Sequence, residues 1–442
     1  MTARFLTRPG QATGIVRAPP SKSYTHRAWM LGLLATGTTR LYHALDSADP
    51  RASRRAVMAL GATVADGSHT PESTDEADST GPQSFAAITS DGVVRPAAAP
   101  IDCGNSGTTL RLATAIAALA DGTTGLTGDA SLCARPMRPL LDALADLGGT
   151  PAAKDGRAPL TIRGPLKGGH ASLPGDISSQ YVSALLLAGT RASAGLTLSI
   201  DGPLKSRPYV DITLEMLRAF GGHIDETAEA APTYHVAADQ NLRATDYEVP
   251  GDYSTAAFPL AAGALAGDVT VEGLPARSVQ GDRAFIAHLR AFGADVHMTP
   301  TSVRARASRL EGDISLDLAH TPDAFPMLAA LAATARGTTR LTGAAHLRLK
   351  ESDRIAVMVA NLRKLGVQAR EEDDGATITG GPIGHAADLT THGDHRILMA
   401  LAVLGLVADG PLALDEPTCY QVSYPGFLDD MTRLGAPFEV AR

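Results

Sequence analysis

Residues 18–41 read APPSKSYTHRAWMLGLLATGTTRL. Pro19 and Pro20 stiffen the entry. Ser21, Lys22, Ser23, Thr25 and Arg27 follow, then the apolar run from Ala28 to Leu34. A helix beginning here aims its free N–H groups and the positive end of its dipole at the place where Lys22 and Arg27 stand. That makes an anion site suited to a phosphate or carboxylate, although the same residues also suit a capped surface helix. The stretch ends Leu34-Ala35-Thr36-Gly37-Thr38-Thr39-Arg40-Leu41, a glycine after a helical run and then an alternating strand. This ending recurs throughout the chain.

Its counterparts are Leu119–Thr124, Ala194–Leu198, Ala266–Val271, Ala335–Leu341 and Ala408–Leu412. A second signal alternates with it: a helical run ending in Leu or Phe, then glycine. The glycines are Gly61, Gly148, Gly221, Gly293, Gly366 and Gly435, spaced by 87, 73, 72, 73 and 69 residues. Glycine just past a helix end takes a left-handed conformation at low cost. Each repeat of roughly 70 residues therefore holds two helices and several short strands. Six repeats make an α/β protein, each repeat too long for a solenoid. The one long spacing marks an insertion at 67–84, GSHTPESTDEADSTGPQS, polar and without apolar period, expected as a surface loop. Tyr247-Glu248-Val249-Pro250-Gly251-Asp252 opens the fourth repeat with a Pro-Gly turn. Three repeats on either side predict two similar lobes with a cleft between them, a common place for ligands.

The chain has 442 residues, 44% of them apolar, enough for two or three domains. A net charge of −8 and an aromatic content of 4% argue against a nucleic-acid partner. Basic residues at motif positions are then local ligands for small anions. Cys103, Cys133 and Cys419 lie far apart, fit no metal-ligand spacing and no disulfide framework, and suggest a reduced, cytoplasmic protein. No apolar run reaches membrane-spanning length, and MTARFLTRPGQATG lacks the apolar core of a signal peptide.

Further polar clusters open apolar helices. Asp102-Cys103-Gly104-Asn105-Ser106-Gly107-Thr108-Thr109-Leu110-Arg111 offers small residues whose N–H groups can approach an anion, and no Walker pattern is present. Arg135, before Pro136, is held extended. Ser178-Ser179-Gln180 and Ser206-Arg207-Pro208-Tyr209 supply hydroxyls and an amide suited to a polyhydroxylated phosphate ester. Each of these, taken singly, is also an ordinary helix cap. In the second half, Asp323 stands at a helix N-terminus, where the dipole keeps it ionised and able to accept a proton. Lys350, Glu351, Asp353 and Arg354 crowd together, and Asp394-His395-Arg396 opens the last long helix. Arg354 and Arg396 with Lys350 suit a dianionic phosphate plus a carboxylate.

In this order, Ser21-Lys22-Ser23 with Arg27, Asn105–Thr108, Arg135-Pro136-Met137, Ser178-Ser179-Gln180, Pro322-Asp323-Ala324, Lys350–Arg354 and Asp394-His395-Arg396 resemble the 5-enolpyruvylshikimate-3-phosphate (EPSP) synthase family. The resemblance covers nearly the whole chain outside the insertion. It implies two inverse α/β half-barrel lobes of three βαβαββ repeats each. The lobe 22–248 would mainly bind shikimate 3-phosphate. Residues 1–21 with 249–442 would carry the phosphoenolpyruvate-binding arginines and the acid–base residues. The implied reaction needs no metal or organic cofactor. The 5-hydroxyl of shikimate 3-phosphate attacks C2 of phosphoenolpyruvate while C3 gains a proton. The tetrahedral intermediate then loses phosphate.

By resemblance, Lys22, Ser23, Arg27, Ser178, Ser179, Gln180, Ser206, Asp323, His346 and Lys350 are expected on shikimate 3-phosphate. Lys22, Gly107, Arg135, Gln180, Arg354 and Arg396 are expected on phosphoenolpyruvate. Asp323 would be the proton acceptor, Lys350 and Glu351 the proton-transfer pair, and Lys22 would reach both substrates. A monomer is expected. The charge arithmetic agrees: one unit pair about 4 Å apart at an effective dielectric of about 20 is worth about 4 kcal/mol, so several anions need several cations. Two departures stand out: Val422 where many members have a lysine, and His346 where many have an asparagine.

Two rival readings are weaker. The related transferase acting on UDP-N-acetylglucosamine has Lys-Asn where this chain has Lys22-Ser23. It also has a cysteine where Ala130 stands, Cys133 being only two residues before Arg135. A non-catalytic shikimate-phosphate-binding protein would have no need of Asp323, Lys350 and Glu351.

Overall fold

Six four-stranded sheets organise the computed structural model, which describes residues 3–69, 83–229 and 231–441. The third repeat shows their common plan. Strands Gly169–Pro174 and Leu196–Asp201 pair in parallel, joined by the helix Ser179–Gly189. The helix Pro208–Ala219 then leads into the antiparallel strands Ile224–Glu226 and Thr233–Val236, the latter pairing with Leu196–Asp201. That is βαβαββ in chain order. Ile101–Asp102 starts a second such repeat and Ser315–Asp317 a third.

The other three sheets are completed by strands remote in sequence. Tyr247–Glu248 returns to lie parallel to Thr36–Tyr42. Ala12–Arg17 lies parallel to Gly267–Glu272. Arg4–Thr7 enters between Leu412–Leu414 and Phe438–Ala441, antiparallel to both. The chain accordingly divides into two compact lobes, one of residues 20–250 and one of residues 1–19 with 251–442. Within the first, Ser21 N–H donates to Pro250 O; within the second, Asp252 N–H donates to Pro19 O.

Each lobe has its own core, and the first helix of each repeat is its centre. In the 20–250 lobe these helices are Lys22–Leu34, Gly107–Ala117 and Ser179–Gly189; in the other they are Tyr253–Ala266, Phe325–Thr334 and His395–Leu404. They are buried nearly all round, and mostly apolar away from their N-terminal turns. The second helices, such as Ala48–Ala59, bury only one face. Strands such as Leu160–Arg163 alternate buried and exposed, with one face on the core.

The six glycines that close the second helices all have positive φ, from 80° to 118°. The other glycine signal has more than one cause. Gly37, Gly122, Gly195 and Gly337 have positive φ. Gly267 is instead required by space, since a Cβ there would lie 1.8 Å from Ala12 O across the parallel pair. The expected loop 67–84 is shorter than the sequence suggests. Gly67, Ser68 and His69 pair with Phe85, Ser84 and Gln83, so the hairpin continues into the polar segment; residues 70–82 lie outside the described residues.

Candidate active site

In the 20–250 lobe Lys22, Gly107 and Ser178-Ser179-Gln180 stand at the N-termini of the three core helices, while Ser206 precedes Pro208–Ala219 and Arg135 follows the short helix Ala130–Ala134. Lys22 is the first residue of its helix, and its Nζ donates to Asp49 Oδ2 at 3.0 Å. Asp49 lies in the first turn of Ala48–Ala59, and its carbonyl accepts from Thr109 Oγ1 at 3.4 Å. Thr109 Oγ1 also lies 2.8 Å from Ser53 Oγ, which lies 2.8 Å from His26 Nδ1. This buried chain ties Lys22's helix to the start of Gly107–Ala117. Burial first, then Lys22 and Arg27, hold His26 well below its usual pKa, so it is neutral.

Arg27 is an internal strut. Its Nε donates to Thr213 Oγ1, NH1 to Ser23 O, and NH2 to Ser183 Oγ and Tyr209 O. Burial lowers its pKa to about 10, which still leaves it charged. It thereby fixes the helices carrying Ser178-Ser179-Gln180 and Ser206. Ser178 caps its helix, accepting from Gln180 N–H at 3.3 Å. Ser206 is buried with φ 54°, a left-handed conformation unusual for serine.

Gly107, Gln180 and Arg135 come together around a residue not assigned a role from sequence, Arg111. Its NH1 donates to Gln180 Oε1 at 2.5 Å, and its guanidinium lies over the Tyr181 ring, 5.5 Å from the centroid. Gln180 Nε2 donates to Thr108 Oγ1 at 3.0 Å. Arg135 NH2 donates to Asn105 Oδ1 at 2.6 Å. A Cβ on Gly107 would stand 2.7 Å from Arg111 NH1 and 3.2 Å from Arg135 NH1. The missing side chain is thus what lets two guanidiniums approach one helix N-terminus, a strong anion site.

In the 251–442 lobe the expected residues gather around Arg354, which is 1% exposed. Its Nε donates to Asp394 Oδ2 at 2.8 Å, NH1 to Asp323 Oδ1 at 2.8 Å and NH2 to Glu351 Oε2 at 2.7 Å. Arg396 NH2 pairs with Asp323 Oδ2 at 2.9 Å. Asp394, fully buried, caps the helix His395–Leu404 through Arg396 N–H and also accepts from Ser352 Oγ. Burial works against ionisation of Asp323, but Arg396, Arg354 and Lys350 overcome it and hold the carboxyl well below its usual range. Burial likewise opposes the charge on Arg354, and Asp394, Glu351 and Asp323 outweigh it. His346 is buried in the turn Ala345–Leu349, and Val422 is half-buried in the turn Cys419–Val422. Among the described residues no group of His, Cys, Asp and Glu could hold a metal ion. A cavity of about 600 Å³ beside Trp29 and Phe85 contains none of the expected site residues.

Sequence reading passed over Arg111, Asp49 and Asp394 as participants. Arg111 had one available signal, a cation one turn into an apolar helix whose other residues are neutral. Asp394 stood inside a noted motif, but its partner is 40 residues away.

The model of the family described as EPSP synthase (3-phosphoshikimate 1-carboxyvinyltransferase) matches residues 6–431. A protein of Methanocorpusculum labreanum named 3-phosphoshikimate 1-carboxyvinyltransferase is 44% identical over 433 residues, covering 98% of this chain and 99% of its own. One of Halobacterium salinarum with the same name is 46% identical over 441 residues, 97% and 98% of the two chains. Among solved structures, an EPSP synthase of Acinetobacter baumannii superposes with a TM-score of 0.79 at 29% identity, covering all of both chains. No described helix is long and apolar enough to cross a membrane.

Proposed function

The chain belongs to the EPSP synthase family, and on that premise we propose how its residues divide the family's reaction. The enolpyruvyl group of phosphoenolpyruvate passes to the 5-hydroxyl of shikimate 3-phosphate, giving 5-enolpyruvylshikimate 3-phosphate and phosphate. Lys22, Ser23, Ser178, Ser179, Gln180 and Ser206 hold shikimate 3-phosphate on the 20–250 lobe, with Arg27 bracing them. Gly107, Arg135, Gln180 and Lys22 meet phosphoenolpyruvate there, joined by Arg111. The 251–442 lobe supplies Arg354 and Arg396 to the same substrate. It also supplies Asp323, Lys350 and Glu351 to the proton transfers, and Asp323, Lys350 and His346 to shikimate 3-phosphate. Val422 brings no charge, so Arg354, Arg396 and Arg135 carry the load that a lysine shares elsewhere. The enzyme acts as a cytoplasmic monomer.

The observation that carries this reading is Asp323 held between Arg354 and Arg396. Clamped by two guanidiniums, Asp323 is a weak base. A substrate phosphate or carboxylate that draws on those guanidiniums removes the positive field and raises the proton affinity of Asp323. The base is thereby strengthened by the arrival of the second substrate. Asp323 then takes the proton of the 5-hydroxyl as its oxygen bonds to C2. Lys350 and Glu351 deliver a proton to C3 and take one back from C3 as the C2–O bond to phosphate breaks, and the proton held by Asp323 leaves with the phosphate, so the protons balance over the turnover. Phosphate release from shikimate 3-phosphate plus phosphoenolpyruvate tests the assignment, with UDP-N-acetylglucosamine as the control acceptor. No release with shikimate 3-phosphate plus phosphoenolpyruvate would overturn it.

A further inference from the structure

Lys22 and His26 stand one turn apart on the helix Lys22–Leu34, and Asp49 and Ser53 one turn apart on Ala48–Ala59. They meet pairwise: Lys22 Nζ donates to Asp49 Oδ2 at 3.0 Å, and His26 Nδ1 lies 2.8 Å from Ser53 Oγ. The helix Gly107–Ala117 joins them through Thr109. Thr109 Oγ1 lies 2.8 Å from Ser53 Oγ and 2.8 Å from Ser106 Oγ, and donates to Asp49 O at 3.4 Å. Ser106 caps that helix by accepting from Thr109 N–H at 3.2 Å. His26, Ser53, Ser106 and Thr109 are fully buried, so their hydrogen bonds must balance among themselves. Four bonds link the side chains: His26 with Ser53, Ser53 with Thr109, Thr109 with Ser106, and Thr109 with Asp49 O. Each needs one proton. The three hydroxyls supply three, and the carbonyl supplies none. The fourth must stand on His26 Nδ1. The direction then follows: His26 donates to Ser53, Ser53 to Thr109 and Thr109 to Asp49 O, with Ser106 also donating to Thr109. His26 Nε2 is buried without a partner, so nothing calls for the proton on that side.

We propose that His26 is a positioning residue, whose Nδ1–H completes the chain that holds Lys22 in register with Gly107. Without that proton one of the four bonds must open. The bond from Thr109 to Asp49 O is the longest of them. It ties the start of Ala48–Ala59, and through Asp49 the ammonium of Lys22, to the helix start at Gly107. Burial first, then Lys22 and Arg27, keep the imidazole neutral. The effect therefore lies in the tautomer and not in a charge. The inference rests on the assignment of Lys22 and Gly107 to phosphoenolpyruvate; Ser178, Ser179 and Ser206, assigned to shikimate 3-phosphate, lie outside the chain.

Long-range nitrogen–proton NMR of the enzyme labelled at histidine reads the tautomer directly, His26 being the resonance missing from His26→Asn. A neutral ring protonated at Nδ1 is expected; protonation at Nε2 overturns the proposal. The kinetic test uses two variants of similar shape, since Asn can present an N–H at the δ position and Leu cannot. His26→Leu should raise the KM for phosphoenolpyruvate by about 3–10-fold, the worth of one hydrogen bond, with a smaller change in the KM for shikimate 3-phosphate. His26→Asn should keep the wild-type value. Equal values in the two variants, raised or not, overturn the proposal. Lys22→Met is measured alongside. If it leaves the KM for phosphoenolpyruvate unchanged, the assignment of Lys22 has failed and the proposal falls with it; if it raises that KM while His26→Leu does not, only the role of His26 has failed.

Discussion

Asp323 carries the most consequence of any side chain here, because the same two arginines that hold it are proposed to receive a substrate. Asp323→Ala should lower kcat by about 10²–10⁴-fold, the usual range for loss of a general base. Shikimate 3-phosphate binding should survive; phosphate release and ligand titration together check both. At Gly107 the argument is steric. Gly107→Ala places a Cβ 2.7 Å from Arg111 NH1, so that guanidinium must swing away. The KM for phosphoenolpyruvate should rise about tenfold, the effect of ~1.4 kcal/mol, with a smaller change for the other substrate. Asp282, buried in the turn Gly281–Ala284, bears on stability. Its pKa is raised on folding to about 7, so its burial costs nothing below its unfolded pKa near 3.9. The cost grows as pH rises and is complete above the folded value. The Tm of Asp282→Asn should therefore exceed that of the wild type by more at pH 8 than at pH 5, read by thermal melts.

Helix starts do the organising at the next scale. A core helix buried on nearly all sides leaves its N-terminus as the natural place for polar groups, and Lys22, Gly107, Ser178 and Asp394 stand at such starts. Asp394 joins the start of a core helix to that of a second helix, Arg354–Lys364, by capping His395–Leu404 and accepting from Arg354. Asp394→Ala should cost about 1.5–3 kcal/mol, the range for a lost hydrogen bond to a charged group, because Arg354 keeps Asp323 and Glu351; urea denaturation measures it. The repeat glycines were legible in the sequence because a helix end and its glycine are neighbours in the chain. The two causes behind the other glycine signal were not. The demand on Gly267 comes from Ala12, 255 residues earlier. The extent of the hairpin into 67–84 was missed for a similar reason, since pairing overrode a polar, strand-poor composition.

The two lobes differ in how the chain builds them. Residues 20–250 complete three repeats without outside strands, because Tyr247–Glu248 closes the first sheet. Residues 251–442 do not, since two of their sheets need Arg4–Thr7 and Ala12–Arg17. Expressed alone, 20–250 should fold cooperatively and bind shikimate 3-phosphate. A 251–442 fragment should fail to fold until a peptide of residues 1–19 is supplied, judged by circular dichroism and proteolysis.

The sequence by itself determined the repeats, the helix starts, the order of the motifs and, through that order, the family. All of these depend on residues within a few positions of one another, where capping, dipole and periodicity act. Only the tertiary structure decided which residues share a charge. Arg111 beside Gly107 and Gln180, and Arg354 among three carboxylates, join residues from separate repeats. Electrostatic balance in a buried site is a sum over everything that folding brings near, and no local pattern encodes that sum.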